Sequence, residues 1–190
     1  VARNRENAFE GMLSLEAMER LVRAAMDYAE GTCTFAFQGG EPTLAGLEFY
    51  RDFVSRVHKA APPGLAVQYA IQTNGTLLDE EWCRFFRAHR FLVGLSLDGS
   101  RECHDRFRRD GAGKGTYDRV VRAARLLERA GVEYNVLTVV TGYLARHIRS
   151  VFAALCRDGF RFQQYIPCLD PLGEERGGQG YSLSPAQYGE

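Results

Sequence analysis

Apolar positions along the chain alternate between two periods. Leu15, Met18, Leu21, Val22 and Ala25 form one face of a helix, and Ser14 stands where an N-cap belongs. Residues 33–37 read as a strand. Leu47, Tyr50, Val54 and Val57 mark a second helix, stopped by Pro62-Pro63-Gly64. Val67, Tyr69, Ile71 and Thr73 alternate as one face of a strand. Asp79 caps a short helix carrying Trp82, Phe85, Phe86 and His89. Residues 91–97 are nearly all apolar, the pattern of a strand covered on both faces. Thr116 caps a helix with Tyr117, Val120, Val121, Ala124 and Leu127, which Gly131 ends. Residues 132–140 form a strand. Leu144, Ile148, Val151, Phe152 and Leu155 mark one more helix, ended by Gly159, and residues 160–166 form the last strand before Pro167.

Five strands and five helices thus alternate, beginning with a helix. Each pair takes about 30 residues, the size of a βαβ crossover. Such units build an α/β fold on a parallel sheet, either open or curled into a barrel. The tail from Leu169 is rich in Gly, Pro and polar residues and reads as loop, with a helix start at Ser184-Pro185. No internal domain boundary is visible, and 190 residues suffice for a sizeable core.

Composition excludes more than it selects. The net charge is zero, so no bulk field points to nucleic acid or an anionic membrane. No apolar run reaches the ~18 residues of a membrane helix. The basic residues are nearly all arginine; Lys59 and Lys114 are the exceptions. The polar start Val1–Glu6 does not read as a signal peptide and has no initiator Met, which reads as a truncation or processing point. Cys33, Cys83, Cys103, Cys156 and Cys168 are widely spaced, with no C-x-x-C, so no local metal or cluster site is expected in this chain. Cys33 and Cys156 sit in apolar contexts and read as small buried hydrophobes. An odd cysteine count without a secretion signal favours a reducing compartment, hence a cytoplasmic protein.

Candidate chemistry sits at the strand ends. In parallel α/β folds ligands bind at the carboxyl ends of the strands. Those ends are Gln38-Gly39-Gly40-Glu41, Gln72-Thr73-Asn74-Gly75, Ser96-Leu97-Asp98-Gly99, Val139-Val140-Thr141-Gly142 and Pro167-Cys168-Leu169-Asp170. Any one of them is an ordinary turn, since Asn-Gly and Asp-Gly are standard turn pairs. Five in series predict a shared rim. Gly39 and Gly40 offer bare backbone and Glu41 a carboxylate, a combination suited to a ligand ammonium. Asp98 also reads as an Asx-turn residue, His104 as a hydrogen-bonded loop histidine, and Arg101 as a solvated loop charge.

The longer strings resemble a known family. Gly-Gly-Glu-Pro at 39–42, Gln-Thr-Asn-Gly at 72–75 and Ser-Leu-Asp-Gly at 96–99 look like radical S-adenosylmethionine (SAM) enzymes. Residues 35–44, 96–99 with His104-Asp105-Arg106-Phe107-Arg108, and 164–171 are similar to the anaerobic sulfatase-maturating subgroup, and the likeness spans about residues 9–185.

The resemblance implies a partial parallel (β/α)6 barrel over residues 1–170, with its first strand missing, and a loop over 171–190 leading to an absent C-terminal region. It implies SAM and a four-iron, four-sulfur cluster, whose C-x-x-x-C-x-x-C loop would precede Val1. The activity implied is oxidation of a sulfatase Cys or Ser to Cα-formylglycine through a 5′-deoxyadenosyl radical. The partners implied are a sulfatase polypeptide and an electron donor such as flavodoxin or ferredoxin. Gly39, Gly40 and Glu41 would receive the SAM amino group. Ser96 and Arg108 would fix the ribose and the carboxylate, for which an arginine fork is suited. Leu169 would approach the adenine. Gln38, Asn74 and Asp98 match further rim positions. The acidic substrate base would lie beyond Glu190, so the 190 residues alone are expected to be inactive. Three alternatives stay open: a radical SAM modifier of another peptide, a cluster-less remnant binding only SAM or a partner, and a sugar- or phosphate-handling (β/α) enzyme. The last would use Gly111–Thr116, which otherwise reads as a mobile linker.

Overall fold

The computed structural model describes residues 13–189; the polar start Val1–Glu6 and the first residues of the family likeness lie outside them. The chain packs as two compact units. One holds the described part of Val1–Phe35 with Thr43–Gln68, the other Ala36–Pro42 with Tyr69–Glu190.

In the first unit, α1 (Leu15–Tyr28) begins where Ser14 Oγ accepts from the Ala17 amide at 3.1 Å. This satisfies one of the donors that a helix start leaves unpaired. α1 buries Met18, Val22 and Met26; Leu21, expected on the same face, is 45% exposed. α2 (Leu47–Ala60) buries Tyr50, Phe53, Val54 and Val57. The ring of Phe53 meets Phe35 of β1 (Thr32–Phe37) edge-on at 5.0 Å.

The sheet order is β1-β2-β3-β4-β5, with β2 at Ala66–Thr73, β3 at Phe91–Ser96, β4 at Tyr134–Val140 and β5 at Gln163–Pro167. The pairs β2–β3, β3–β4 and β4–β5 are parallel, as the alternating pattern predicts. Register Thr73↔Leu95 and Val140↔Pro167 brings successive strand ends to one edge. β3 is buried along its length except at Leu92.

Helices α3 (Glu80–Ala88) and α5 (Tyr117–Ala130) add Trp82, Phe85, Phe86, Val120 and Leu127 to the second unit's core. Asp79 caps α3 through Oδ1, taking the Glu81 and Trp82 amides. Phe85 and Phe86 then pack on Phe91, with ring centroids 5.4 and 5.2 Å away. Gly131 closes α5 in the left-handed conformation, φ 67°.

Four expectations need correction. A further helix, α4 (Arg101–Phe107), follows β3. Its seven residues are mostly polar, so no apolar stripe announces it; Ser100 caps it instead. The helix expected from Leu144 onward is broken into α6 (Gly142–Ala145) and α7 (Ile148–Arg157), and Phe152 on α7 is 53% exposed. Thr116 does not cap α5 with its side chain; Asp105 Oδ1 takes the Tyr117 amide at 2.9 Å. Cys156 is exposed and Cys33 half-buried, so neither is a core residue. The tail does form the short helix α8 (Pro185–Gly189) after Ser184.

Candidate functional site

The end of β1 is built from backbone. Gly39 and Gly40 have φ 102° and 58°, a region that other residues adopt only with strain. A Cβ on Gly39 would meet nothing within 4 Å, so the conformation, not crowding, calls for glycine. Glu41 is half-buried and locked to the end of β2. Its Oε1 accepts from Thr73 Oγ1 at 2.6 Å and its Oε2 from the Asn74 amide at 2.7 Å. The carboxylate therefore braces the glycine loop against β2. Asn74 spends its own Oδ1 on the Thr76 amide and hydroxyl, at 2.9 and 2.7 Å. Gln38 is exposed.

The end of β3 is built from side chains. Asp98 is buried and Arg108 half-buried, and they form a two-pronged ion pair. Arg108 Nε donates to Asp98 Oδ2, and Nη2 to Oδ1 at 3.1 Å. Asp98 Oδ1 also accepts the Val139 amide of β4 at 2.9 Å, while Thr138 Oγ1 donates to the Leu97 carbonyl at 2.8 Å. A guanidinium has more N–H donors than the two that Asp98 takes, so Arg108 retains donors for an anion. Ser96 is buried at the last position of β3.

His104 is wholly buried in α4, between the Asp98 amide and the Thr116 hydroxyl. Burial pushes its pKa down to about 4, so the ring is neutral near pH 7. Leu169, after β5, is 80% exposed and available to an apolar surface.

Two sequence readings change here. Arg101 is the first residue of α4; it is paired through both terminal nitrogens with Asp118 and lies 4.9 Å over the Tyr117 ring. The glycine-rich segment 111–115 is a hydrogen-bonded turn in which Asp110 Oδ1 accepts the Ala112 and Lys114 amides. The segment leads into α5, and the Tyr117 amide at that helix start is taken by Asp105. Sequence reading also missed Thr73 and Thr116 as supports. Both lay inside quoted segments, but their partners are distant in sequence.

Cluster chemistry does not fit these residues. Among the described residues no group of three or more His, Cys, Asp or Glu is placed to hold a metal ion. The five cysteines are free, and burial with the nearby Asp79 raises the Cys83 pKa to about 11, which makes it a poor thiolate ligand.

Parallel strands with helical crossovers and a polar rim at their carboxyl ends define the (β/α) class. The chain belongs to the radical SAM superfamily, which matches residues 4–155. It is 46% identical over 188 residues to the cysteine-type anaerobic sulfatase-maturating enzyme of Clostridium novyi, covering 99% of this chain and 50% of that protein. It is 37% identical to the serine-type enzyme of Klebsiella aerogenes, covering 92% of this chain and 43% of that one. The solved structure of native anSMEcpe with bound AdoMet and the Kp18Cys peptide superposes with a TM-score of 0.92 at 45% identity, over 94% of this chain and 49% of that one. The fold is thus the partial parallel (β/α) barrel of that family, with five strands among the described residues. The chain spans about half the length of the curated relatives it matches. No helix among the described residues is long and apolar enough to cross a membrane.

Proposed function

We propose that this chain is the SAM-binding core of a radical SAM enzyme that oxidises an active-site Cys or Ser of a sulfatase to Cα-formylglycine. The supporting observation is the pairing of a glycine–carboxylate loop at one strand end with the Asp98–Arg108 pair at another, in a chain 46% identical to a sulfatase-maturating enzyme. Together these groups suit both charges of an amino acid. Gly39, Gly40 and Glu41 hold the ammonium, because carbonyls and carboxylates accept hydrogen bonds from its N–H groups. Arg108 holds the carboxylate through its remaining N–H donors, and Ser96 the ribose. Leu169 covers the adenine with apolar surface. Gln38, Asn74 and Asp98 complete the rim, Asn74 and Asp98 by fixing the loops on which the others stand.

Bound SAM, given one electron by an iron–sulfur cluster, would supply a 5′-deoxyadenosyl radical able to take a hydrogen atom from a substrate Cβ. The residues of this chain bind and orient; none of them is assigned as acid or base. We assign residues 1–170 to the core of that enzyme and 171–190 to a loop after it. An electron donor such as flavodoxin or ferredoxin and a cytoplasmic location complete the proposal.

The test uses the gene's full reading frame, reconstituted anaerobically with iron and sulfide. SAM, a reductant and sulfatase-derived peptides with Cys or Ser at the target are added. The expected result is 5′-deoxyadenosine together with an aldehyde on one peptide. Deoxyadenosine without an aldehyde on either peptide would move the substrate to another peptide class. No SAM binding at all would end the reading.

A further inference from the structure

A closed circuit of hydrogen bonds stands behind the Asp98–Arg108 pair; Asp98, His104 and Thr116 in it are buried, and Arg108 is half-buried. The Asp98 amide donates to His104 Nδ1 at 3.2 Å. His104 Nε2 lies 2.9 Å from Thr116 Oγ1. Thr116 Oγ1 donates to the Arg108 carbonyl at 3.2 Å, and the Arg108 amide donates to the His104 carbonyl at 2.9 Å. The guanidinium of Arg108 closes the loop on the Asp98 carboxylate.

The protons of this circuit can be placed by elimination. A backbone amide only donates, so Nδ1 must present its lone pair. Thr116 gives its one proton to the Arg108 carbonyl, so its oxygen accepts, and Nε2 carries the ring proton. His104 is therefore the neutral Nε2–H tautomer. A second proton on Nδ1 would face the Asp98 N–H and open the circuit. The charged groups facing the ring are Asp98, Arg108 and Asp105, with the Tyr117 ring edge-on at 5.9 Å.

We propose that His104, through Thr116, is the positioning residue that sets the Asp98–Arg108 pair to receive the carboxylate of an amino-acid ligand. The inference rests on the assignment of Arg108 to the SAM carboxylate. Three features carry it. His104 joins the backbone of both members of the pair and touches no surface, so it cannot meet substrate. An apolar ring of similar size would fill the space but orphan the Asp98 amide. Thr116 gives up the capping role that its position at the start of α5 offers, and Asp105 takes it over. The Asp105 position is itself tight: a Cβ on Gly115 would stand 2.2 Å from its Cγ.

The first measurement is histidine-selective 15N NMR of the ligand-free protein, with the His104 signal assigned by its loss in His104→Asn. The expected signal has a bare Nδ1, a protonated Nε2 and no titration above pH ~5. A protonated Nδ1, or titration near the ordinary ~6.5, would overturn the proposal. The second is calorimetric SAM titration of the cluster-loaded full-length protein. Thr116→Val should weaken SAM binding about tenfold, and Thr116→Ser should restore it to within about threefold. His104→Asn, which keeps an acceptor for the Asp98 amide, should fall between them. If Arg108→Ala binds SAM normally, the carboxylate assignment fails. If Arg108→Ala binds weakly while Thr116→Val and His104→Asn bind normally, the positioning role alone fails. Should Thr116→Val not fold, His104→Asn and the tautomer decide.

Discussion

At the end of β1 the candidate ligand surface is backbone: two glycines with positive φ, open space around Gly39, and a carboxylate braced from the next strand. At the end of β3 it is side chain: an ion pair backed by a buried histidine and a threonine. The same contrast holds for their glycines. A Cβ on Gly99 would lie 2.6 Å from Val151 Cγ1, whereas one on Gly39 would touch nothing within 4 Å. The first region is set by what the chain lacks, and tolerates change in its packing. The second is set by mutual satisfaction of buried polar groups, so loss of one member is felt by the others.

The contrast would break first at Arg108. Arg108→Ala leaves the Asp98 carboxylate buried with only the Val139 amide, which should cost up to about 3–5 kcal/mol of folding stability. Adding Asp98→Asn should recover much of that loss. Urea unfolding of both variants reads this, and a single variant as stable as the parent would mean that the pair is not a buried unit. SAM titrations of Arg108→Ala therefore need the double variant as control.

A smaller effect comes from pH. The folded pKa of His104, about 4, lies below its unfolded value of ~6.5 because of burial, so the unfolded state binds its proton more readily between these values. Stability from this group is complete above pH ~6.5 and is lost as pH falls towards ~4, by on the order of 3 kcal/mol. His104→Asn should flatten that part of the stability profile; an unchanged slope would show that another group sets it.

The two glycines give the next effect. Gly99→Ala should destabilise by about 1–3 kcal/mol, through strain and overlap with Val151. Gly39→Ala carries only the strain of its φ, about 1–2 kcal/mol, but should weaken SAM binding more than Gly99→Ala does. Thermal unfolding and SAM titration of the two variants separate these outcomes; the reverse order in affinity would exchange the roles of the two ends. Arg101→Ala should show the least. Its pair with Asp118 is exposed on both sides and worth at most about 1 kcal/mol, and SAM affinity should not change.

Legibility followed the same division. The glycine loop was readable because Gly-Gly-Glu-Pro after an apolar run states a backbone requirement locally. The Asp98–Arg108 pair was half-readable: both residues lay in quoted strings, but nothing in the spacing joins them. The role of Thr116 was misread because its position favours a cap, while its hydroxyl has better partners in His104 and Arg108. α4 escaped notice because its seven residues, mostly polar, carry no periodic stripe. The break between α6 and α7 escaped because the apolar period runs through it.

By itself, then, the order of apolar and polar residues determined the alternating strands and helices, the strand-end segments and the local caps at Ser14 and Asp79, since each depends on neighbours a few residues away. The tertiary structure alone decided that Glu41 braces Thr73 and Asn74, that Arg108 pairs with Asp98, and that His104 is neutral. Those outcomes follow from burial, which removes water as an alternative partner and forces polar groups distant in sequence to satisfy one another.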